Sequence, residues 1–166
     1  MTEPQLSIPQ VYQWLSEISD PEIPAVSILD LGIVRDVILV DDGREVSVTI
    51  TPTYSGCPAM DIISMQIRMA LMGRGVRKVG IEMQLAPAWT TDWITEEGKV
   101  KMKAYGIAPP VRKAKDPLAL FEEDEIVCPH CHSGHTEMVS QFGATSCKSM
   151  YRCLDCKEPF EHFKCH

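Results

Sequence analysis

The first 127 residues contain no histidine and a single cysteine, Cys57. A Cys–His catalytic pair cannot be built from that stretch alone, which argues against a cysteine hydrolase. Basic charge is also scarce: 16 Lys and Arg against 23 Asp and Glu leave a formal net charge of -7. That balance favours solubility and gives no general affinity for nucleic acid or an anionic membrane. No apolar run approaches the ~20 residues that span a bilayer. The start, MTEPQLSIPQ, is polar and acidic where a signal peptide would be basic and then apolar. The expectation is a cytoplasmic protein with neither membrane nor nucleic acid as partner.

What is present is unevenly placed. The chain has 166 residues, 45% of them apolar, enough for one domain of about 100 residues with its own core and a small appendage. Six of seven cysteines and all five histidines fall after residue 127. In a reducing compartment such cysteines point to metal ligands or reactive thiols before disulfides. The shift in composition marks a boundary, and three segments are expected: an α/β domain over 1–105, a linker over 106–127 and a metal-binding module over 128–166. The linker reading rests on Pro109, Pro110 and Pro117, a basic cluster (Arg112, Lys113, Lys115) and an acidic run from Glu122 to Glu125.

Hydrophobic spacing supplies the elements. Residues 7–18 carry Ile8, Val11, Tyr12, Leu15 and Ile18 at helical intervals, with Ser7 as cap and Pro9 in the first turn. Residues 33–40 and 45–51 read as two strands around the turn signal Asp41-Asp42-Gly43-Arg44, with Val46, Val48 and Ile50 on one face. Pro58 suits a first helical position. The helix it opens should run to about Met72 and bury Met60, Ile63, Ile67, Ala70 and Leu71. Residues 79–85 alternate, placing Val79, Ile81, Met83 and Leu85 inward. A further helix is expected over 93–104, capped by Thr91 or Asp92. Helix–strand–strand–helix–strand describes a small α/β sandwich with helices on one face of a mixed sheet, so the fold class is α+β with a C-terminal tetracysteine zinc ribbon.

The ribbon follows from spacing. Cys128-Pro-His-Cys131 and Cys153-Leu-Asp-Cys156 are two C-x-x-C knuckles separated by 21 residues. Each puts two thiolates on one tight turn, and together they offer the four sulfurs of a closed structural zinc site. A module this small with few large aliphatic residues needs the metal to fold. Iron in a rubredoxin-like site has nearly the same sulfur geometry. Histidines 130, 132 and 135 could replace a cysteine in the metal shell, but a four-sulfur set is simpler and they read as surface residues of a loop; Cys147 and Cys165 read as small core residues. Other readings of those two are groups supporting the ligands, or a weaker metal locus with His162 or His166. Four Lys/Arg balance four Asp/Glu after residue 127, so the ribbon lacks the basic footprint of a nucleic-acid reader and suits protein docking better.

Cys57 admits two readings. At a helix start the backbone N–H groups and the helix dipole favour its thiolate, which can attack an electrophile or bind a soft metal; or it is a buried structural cysteine. Asp20 and Glu22, in the proline-rich loop that follows the first helix, are either a charge partner or metal ligand near Cys57, or helix-end and turn residues. Trp89 and Trp93 divide between core and a partner surface, and Met60, Met65, Met69 and Met72 read as core packing.

Three segments together carry a resemblance: DPEIP at 20–24, ILDLGIV at 28–34 and TPTYSGCP at 51–58. Residues 7–95 resemble the small iron–sulfur assembly family that includes bacterial SufT-like proteins and eukaryotic cytosolic targeting factors. The WTTDW stretch and the terminal CPHC…CKSMYRCLDCKEPFEHFKC extend the likeness, over nearly the whole chain, to the D-subunit family of bacterial phenylacetyl-CoA epoxidase systems. The resemblance implies a non-enzymatic accessory protein of aerobic phenylacetate breakdown that matures or maintains an iron–sulfur or diiron centre. Carried over by position, Cys57 would hold iron or a cluster transiently and Asp20 would be its acidic partner. Structural zinc, client subunits or the reductase of the epoxidase, the iron–sulfur assembly machinery, and a homodimer complete the implied set. The alternatives are a structural or regulatory subunit of the oxygenase and a thiol redox protein.

Overall fold

The computed structural model describes residues 6–111 and 125–164. The chain divides into two compact units between Trp89 and Thr90. In chain order the first unit holds helix α1 (Ile8–Leu15), strands β1 (Val34–Val40) and β2 (Glu45–Ile50), helix α2 (Ala59–Met72) and strand β3 (Lys78–Met83). The sheet order is β1-β2-β3. β1 and β2 form an antiparallel hairpin from Val34 opposite Ile50 to Val40 opposite Glu45, with a register shift at Arg35. β3 returns parallel to β2, Val46 opposite Val79 and Val48 opposite Ile81. The sheet is therefore mixed, as the helix between β2 and β3 requires of a crossover.

The core of this unit is the meeting of one sheet face with the two helices. Val46, Val48 and Ile50 alternate inward along β2; α2 contributes Met60, Ile63, Ile67 and Leu71, and α1 contributes Val11 and Leu15. Between α1 and β1 the chain makes no long element, yet Ile23, Val26, Ile28, Leu31 and Ile33 are all buried. Side chains satisfy the backbone there: Asp30 Oδ2 accepts from Ser27 N–H at 2.9 Å, while Ser27 Oγ accepts from Asp30 N–H at 3.0 Å. Trp89 is buried and its Nε1–H donates to Leu31 O at 2.8 Å, pinning the end of the loop.

Several details differ from the sequence reading. β3 stops at Met83, so Met83 (47% exposed) and Leu85 (69% exposed) are not core residues; an edge strand this short is not covered along its length. Met65, Met69 and Met72 lie on the outer side of α2, opposite Met60, and are exposed rather than packed. Ala70 is only half-buried and Ile8 is exposed at the first turn of α1. The helix expected over 93–104 is shifted, because Trp93 closes a short 3-10 turn capped by Thr90, and a new cap follows it.

That cap opens the second unit's helix, α3 (Glu96–Tyr105), where Thr95 Oγ1 accepts from Gly98 N–H. Glu96 and Glu97 in the first turn and Lys103 in the last complement the helix dipole. Gly106 ends it with φ 96, a left-handed conformation that calls for glycine. Strand β4 (Ile107–Ala108) follows at once, then β5 (Thr136–Ser140), β6 (Lys148–Cys153) and β7 (Pro159–Phe163). Their order is β4-β7-β6-β5, with β4 parallel to β7 and the other neighbours antiparallel. The division of the chain thus falls sixteen residues before 105, and Ile107 and Ala108, read as linker, are a ribbon strand because they pair with Glu161 and His162. The linker's residues 112–124 lie outside the described residues.

Candidate metal centre and thiol site

The ribbon core is small: Ala108, Ile126, Phe160 and the two buried cysteines Cys128 and Cys153, with Tyr151 and Cys156 against them. The cysteines are therefore both part of the core and its cross-link. The two knuckles repeat one backbone design. Cys128 N–H donates to Ser133 O at 2.9 Å and, 25 residues on, Cys153 N–H donates to Glu158 O at 3.0 Å. The residue after each second cysteine, His132 (φ 62) and Lys157 (φ 67), sits in the left-handed region that lets the chain turn back beneath the sulfurs. Glycine would adopt it with less strain.

The four sulfurs converge. All lie within 4.8 Å of one another, with Cys131 Sγ 3.5 Å from Cys153 Sγ and Cys128 Sγ 3.8 Å from Cys156 Sγ. A tetrahedron with metal–sulfur bonds of about 2.3 Å has edges of about 3.8 Å, so the donor set fits a four-thiolate ion with little adjustment. Its acid–base chemistry points the same way. The Cys156 N–H, together with the Asp155 N–H and neighbouring sulfurs, holds the Cys153 thiol down to about 6 against the cost of burial. The Glu158 N–H favours the Cys156 thiolate, but burial and the sulfurs of Cys153, Cys131 and Cys128 outweigh it and push that thiol up to about 12. One negative charge forms readily among the four and the last forms with difficulty; a dication removes that conflict.

Histidines 130, 132 and 135 are exposed, and none belongs to the sulfur cluster. His135 Nδ1 lies 3.4 Å from Asp155 Oδ2, which also accepts from Ser133 Oγ–H. This resembles a Ser–His–Asp set only in composition, since the carboxylate stands between serine and histidine instead of orienting the imidazole toward the serine. The arrangement ties one knuckle to the other. Cys147 is buried with Thr145 Oγ1 3.0 Å from its sulfur, consistent with a small core residue. Cys165 and His166 lie outside the described residues.

The other thiol has a different setting. Cys57 precedes Pro58, the residue that caps α2, and is half-buried. Gly56, at φ 76 with open space around it, makes the bend that delivers the thiol to the helix start. A helix start is expected to lower a thiol's pKa; that of Cys57 is instead raised. Burial is the largest cause and the Glu22 carboxylate adds to it, outweighing the Ala59 N–H and the hydroxyls of Tyr54 and Thr53, which favour the thiolate. Asp20 is 5% exposed, and its Oδ1 accepts from Glu22 N–H at 2.9 Å and Ile23 N–H at 2.8 Å. It shapes the turn from which Glu22 acts on Cys57. Glu22, Thr53 and Tyr54 thus surround the thiol; the sequence names Glu22 as an acid near Cys57, while Thr53 and Tyr54 stand in its TPTYSGCP segment without an assigned role. The signal for this arrangement is the Asp-Pro-Glu order itself, because Asp before such a turn accepts from the backbone two and three residues on.

Comparison with known proteins covers the same two regions. The PaaD zinc beta ribbon domain matches residues 113–164, and the iron–sulfur cluster assembly protein family matches residues 9–83. An Escherichia coli (strain K12) protein, named as the D subunit of 1,2-phenylacetyl-CoA epoxidase, is 46% identical over 160 residues, covering 95% of this chain and 94% of its own. A Porphyromonas gingivalis Fe-S protein maturation auxiliary factor is 37% identical over 55% of this chain and 87% of its own. Among solved structures, a domain of unknown function from Bacillus anthracis superposes with a TM-score of 0.53 at 26% identity, over 57% of this chain and 89% of that one. A conserved hypothetical protein from Thermotoga maritima gives 0.51 at 26% identity, over 61% and 98%.

Proposed function

The chain belongs to the family of the phenylacetyl-CoA epoxidase D subunit, and on that premise we propose that it is an accessory protein that matures or maintains a metal centre of the epoxidase system. The observation that carries this reading is the joining, in one chain, of a unit similar to iron–sulfur maturation factors with a ribbon shared along its length with the epoxidase protein. The first would handle iron or a cluster as cargo; the second would bring it to the client, an oxygenase or reductase subunit.

In this reading Cys128, Cys131, Cys153 and Cys156 hold zinc. A closed four-sulfur shell leaves no position for substrate, so the ion serves to fix the two knuckles and the docking surface they carry. Cys57 is the working thiol. Kept protonated by burial and by Glu22 when idle, it loses its proton when a cationic iron centre approaches, because the metal's charge reverses the balance that holds the proton on. Thr53, Tyr54 and the Ala59 N–H then support the thiolate, and Asp20 keeps the loop in place. A protein in this role hands a metal centre on and is not an enzyme. Among the described residues no helix is long and apolar enough to cross a membrane, and the setting is the cytoplasm with its iron–sulfur assembly machinery.

A structural subunit of the oxygenase is the second reading, favoured by the full-length match to a protein named as a subunit. Complementation separates the two. In cells lacking this protein, Cys57→Ser should fail to restore epoxidase activity while wild type restores it; full activity with Cys57→Ser would overturn the maturation role.

A further inference from the structure

The last turn of α3, the end of β4 and the first knuckle border a cleft of about 110 Å³ that is partly open to solvent. Ala108, Pro109, Val111, Val127 and Pro129 line it, and Lys103 is its one charged member. All of these residues lie in the second unit. Val127 and Pro129 flank Cys128, so the knuckle itself supplies one wall.

Two features select a ligand. The first is shape. An enclosed apolar cavity of about 150 Å³ holds benzene. A cleft of about 110 Å³ with an open side takes a single ring and lets a substituent emerge. Two proline rings, Pro109 and Pro129, line it. The faces of an aromatic ring are electron-rich, and the proline C–H groups beside the amide nitrogen are electron-poor, so a flat ring gains more there than an alkyl chain. The second feature is charge. On the same helix, Lys99 Nζ lies 2.8 Å from Glu96 Oε1 and Lys101 Nζ lies 2.9 Å from Glu97 Oε1. Lys103, the remaining lysine of α3, pairs with no acid among the described residues. The helix therefore meets its other lysine charges internally and leaves the one at the cleft for an external anion.

We propose that the cleft binds a single-ring aromatic carboxylate, its ring among Pro109, Pro129 and the two valines and its carboxylate at Lys103. Occupied in this way, the site ties the first knuckle to α3 and β4. The proposal goes beyond the accessory role and rests neither on it nor on Cys57.

Phenylacetate, one ring with one carboxylate, is the probe. Titrated into the full zinc-loaded chain, it should give saturable amide shifts at the cleft residues in heteronuclear NMR. The expected Kd is about 0.1–1 mM, the range for a ligand of about ten non-hydrogen atoms in an open cleft. Phenylacetamide has the same shape without the charge and should bind about 3–5-fold more weakly, the scale of a solvent-exposed ion pair. Lys103→Met should abolish that preference and leave phenylacetamide binding unchanged; the position is exposed, so the variant should fold. Val127→Trp, at another exposed position, should fill the cleft and remove binding of both ring compounds. Hexanoate, an anion without a ring, should bind about 5-fold more weakly than phenylacetate. Four results would each overturn the proposal: no saturable shift below about 10 mM, a weaker affinity than any specific site of this size shows; shifts centred away from the cleft; hexanoate bound as tightly as phenylacetate; or an undiminished preference for the anion in Lys103→Met.

Discussion

The Glu22 carboxylate raises the pKa of the Cys57 thiol, working with burial against the N–H and O–H groups that favour the thiolate. The loop after the first helix and the loop before the second are thereby joined electrostatically, although 35 residues separate them. Neutralising the acid should release part of the shift. In Glu22→Gln the thiol should titrate at lower pH, and iodoacetamide alkylation of Cys57 at pH 7.5 should speed up several-fold, as followed by peptide mass. Wild type should react slowly at neutral pH and accelerate above pH 9. The same shift has a stability consequence. The folded state binds the proton more tightly than the unfolded chain, so Cys57 contributes stability that is intact below pH 9 and is lost as pH rises through the folded value.

Asp20 gives a sharper separation of scaffold from ligand. Its carboxylate accepts two backbone N–H groups in a buried turn. Asp20→Asn preserves an acceptor at Oδ1 and should leave stability nearly unchanged, whereas Asp20→Ala should cost about 1–2 kcal/mol by orphaning those donors. Chemical denaturation reads this directly. If Asp20→Asn folds as wild type but loses iron binding, Asp20 is a metal ligand as well as a turn former.

The ribbon should depend on its metal both for fold and for proton balance. Chelation at pH 7 should erase amide protection in β5, β6 and β7 while β1, β2 and β3 of the other unit keep theirs, as measured by hydrogen exchange. The core that remains, around Ala108, Ile126 and Phe160, is too small to persist alone. Because Cys153 ionises near 6 while Cys131 is raised and Cys156 stands near 12, zinc binding at pH 7 should release at least two protons per ion. Affinity should fall as pH falls. Calorimetry in buffers of different ionisation enthalpy checks the count.

An ion pair between a buried lysine and a partly exposed glutamate fixes the turn between β5 and β6. Lys148, 3% exposed, donates to Glu161 Oε2 at 2.8 Å, and Glu161 Oε1 accepts from Ala144 N–H at 2.8 Å. Glu161→Gln leaves the ammonium buried with a weaker partner and should destabilise the holo-ribbon by about 2–4 kcal/mol; adding Lys148→Met should recover much of the loss. Equal destabilisation in the single and double variants would show that the pair does not act as a unit.

The parts of this molecule that sequence discloses are those set by short-range rules. The knuckles, the hairpin and the start of α2 each depend on a few adjacent residues whose spacing names the geometry. Other features depend on which neighbour lies across the fold. Met83 and Leu85 continue an alternation that means burial only if a helix covers the strand's end, and both are exposed. Ile107 and Ala108 look like linker beside two prolines, and become a strand because β7 offers them an edge. Cys57 sits at a helix start, which by itself implies a lowered pKa; its burial and Glu22, both tertiary facts, reverse the sign. The outer methionines of α2 obey helical spacing as well as the inner ones, so periodicity alone could not tell a covered face from an open one.

The central claim is that the ribbon cysteines hold a fixed structural ion while Cys57 handles a transient one. Anaerobic reconstitution with iron and sulfide, followed by quantification of zinc, iron and sulfide per chain, tests it most directly. The account predicts one zinc in both wild type and Cys57→Ser, with iron bound to wild type and absent from the variant. Iron retained undiminished by Cys57→Ser, or iron lost only when Cys128, Cys131, Cys153 or Cys156 is replaced, would contradict it.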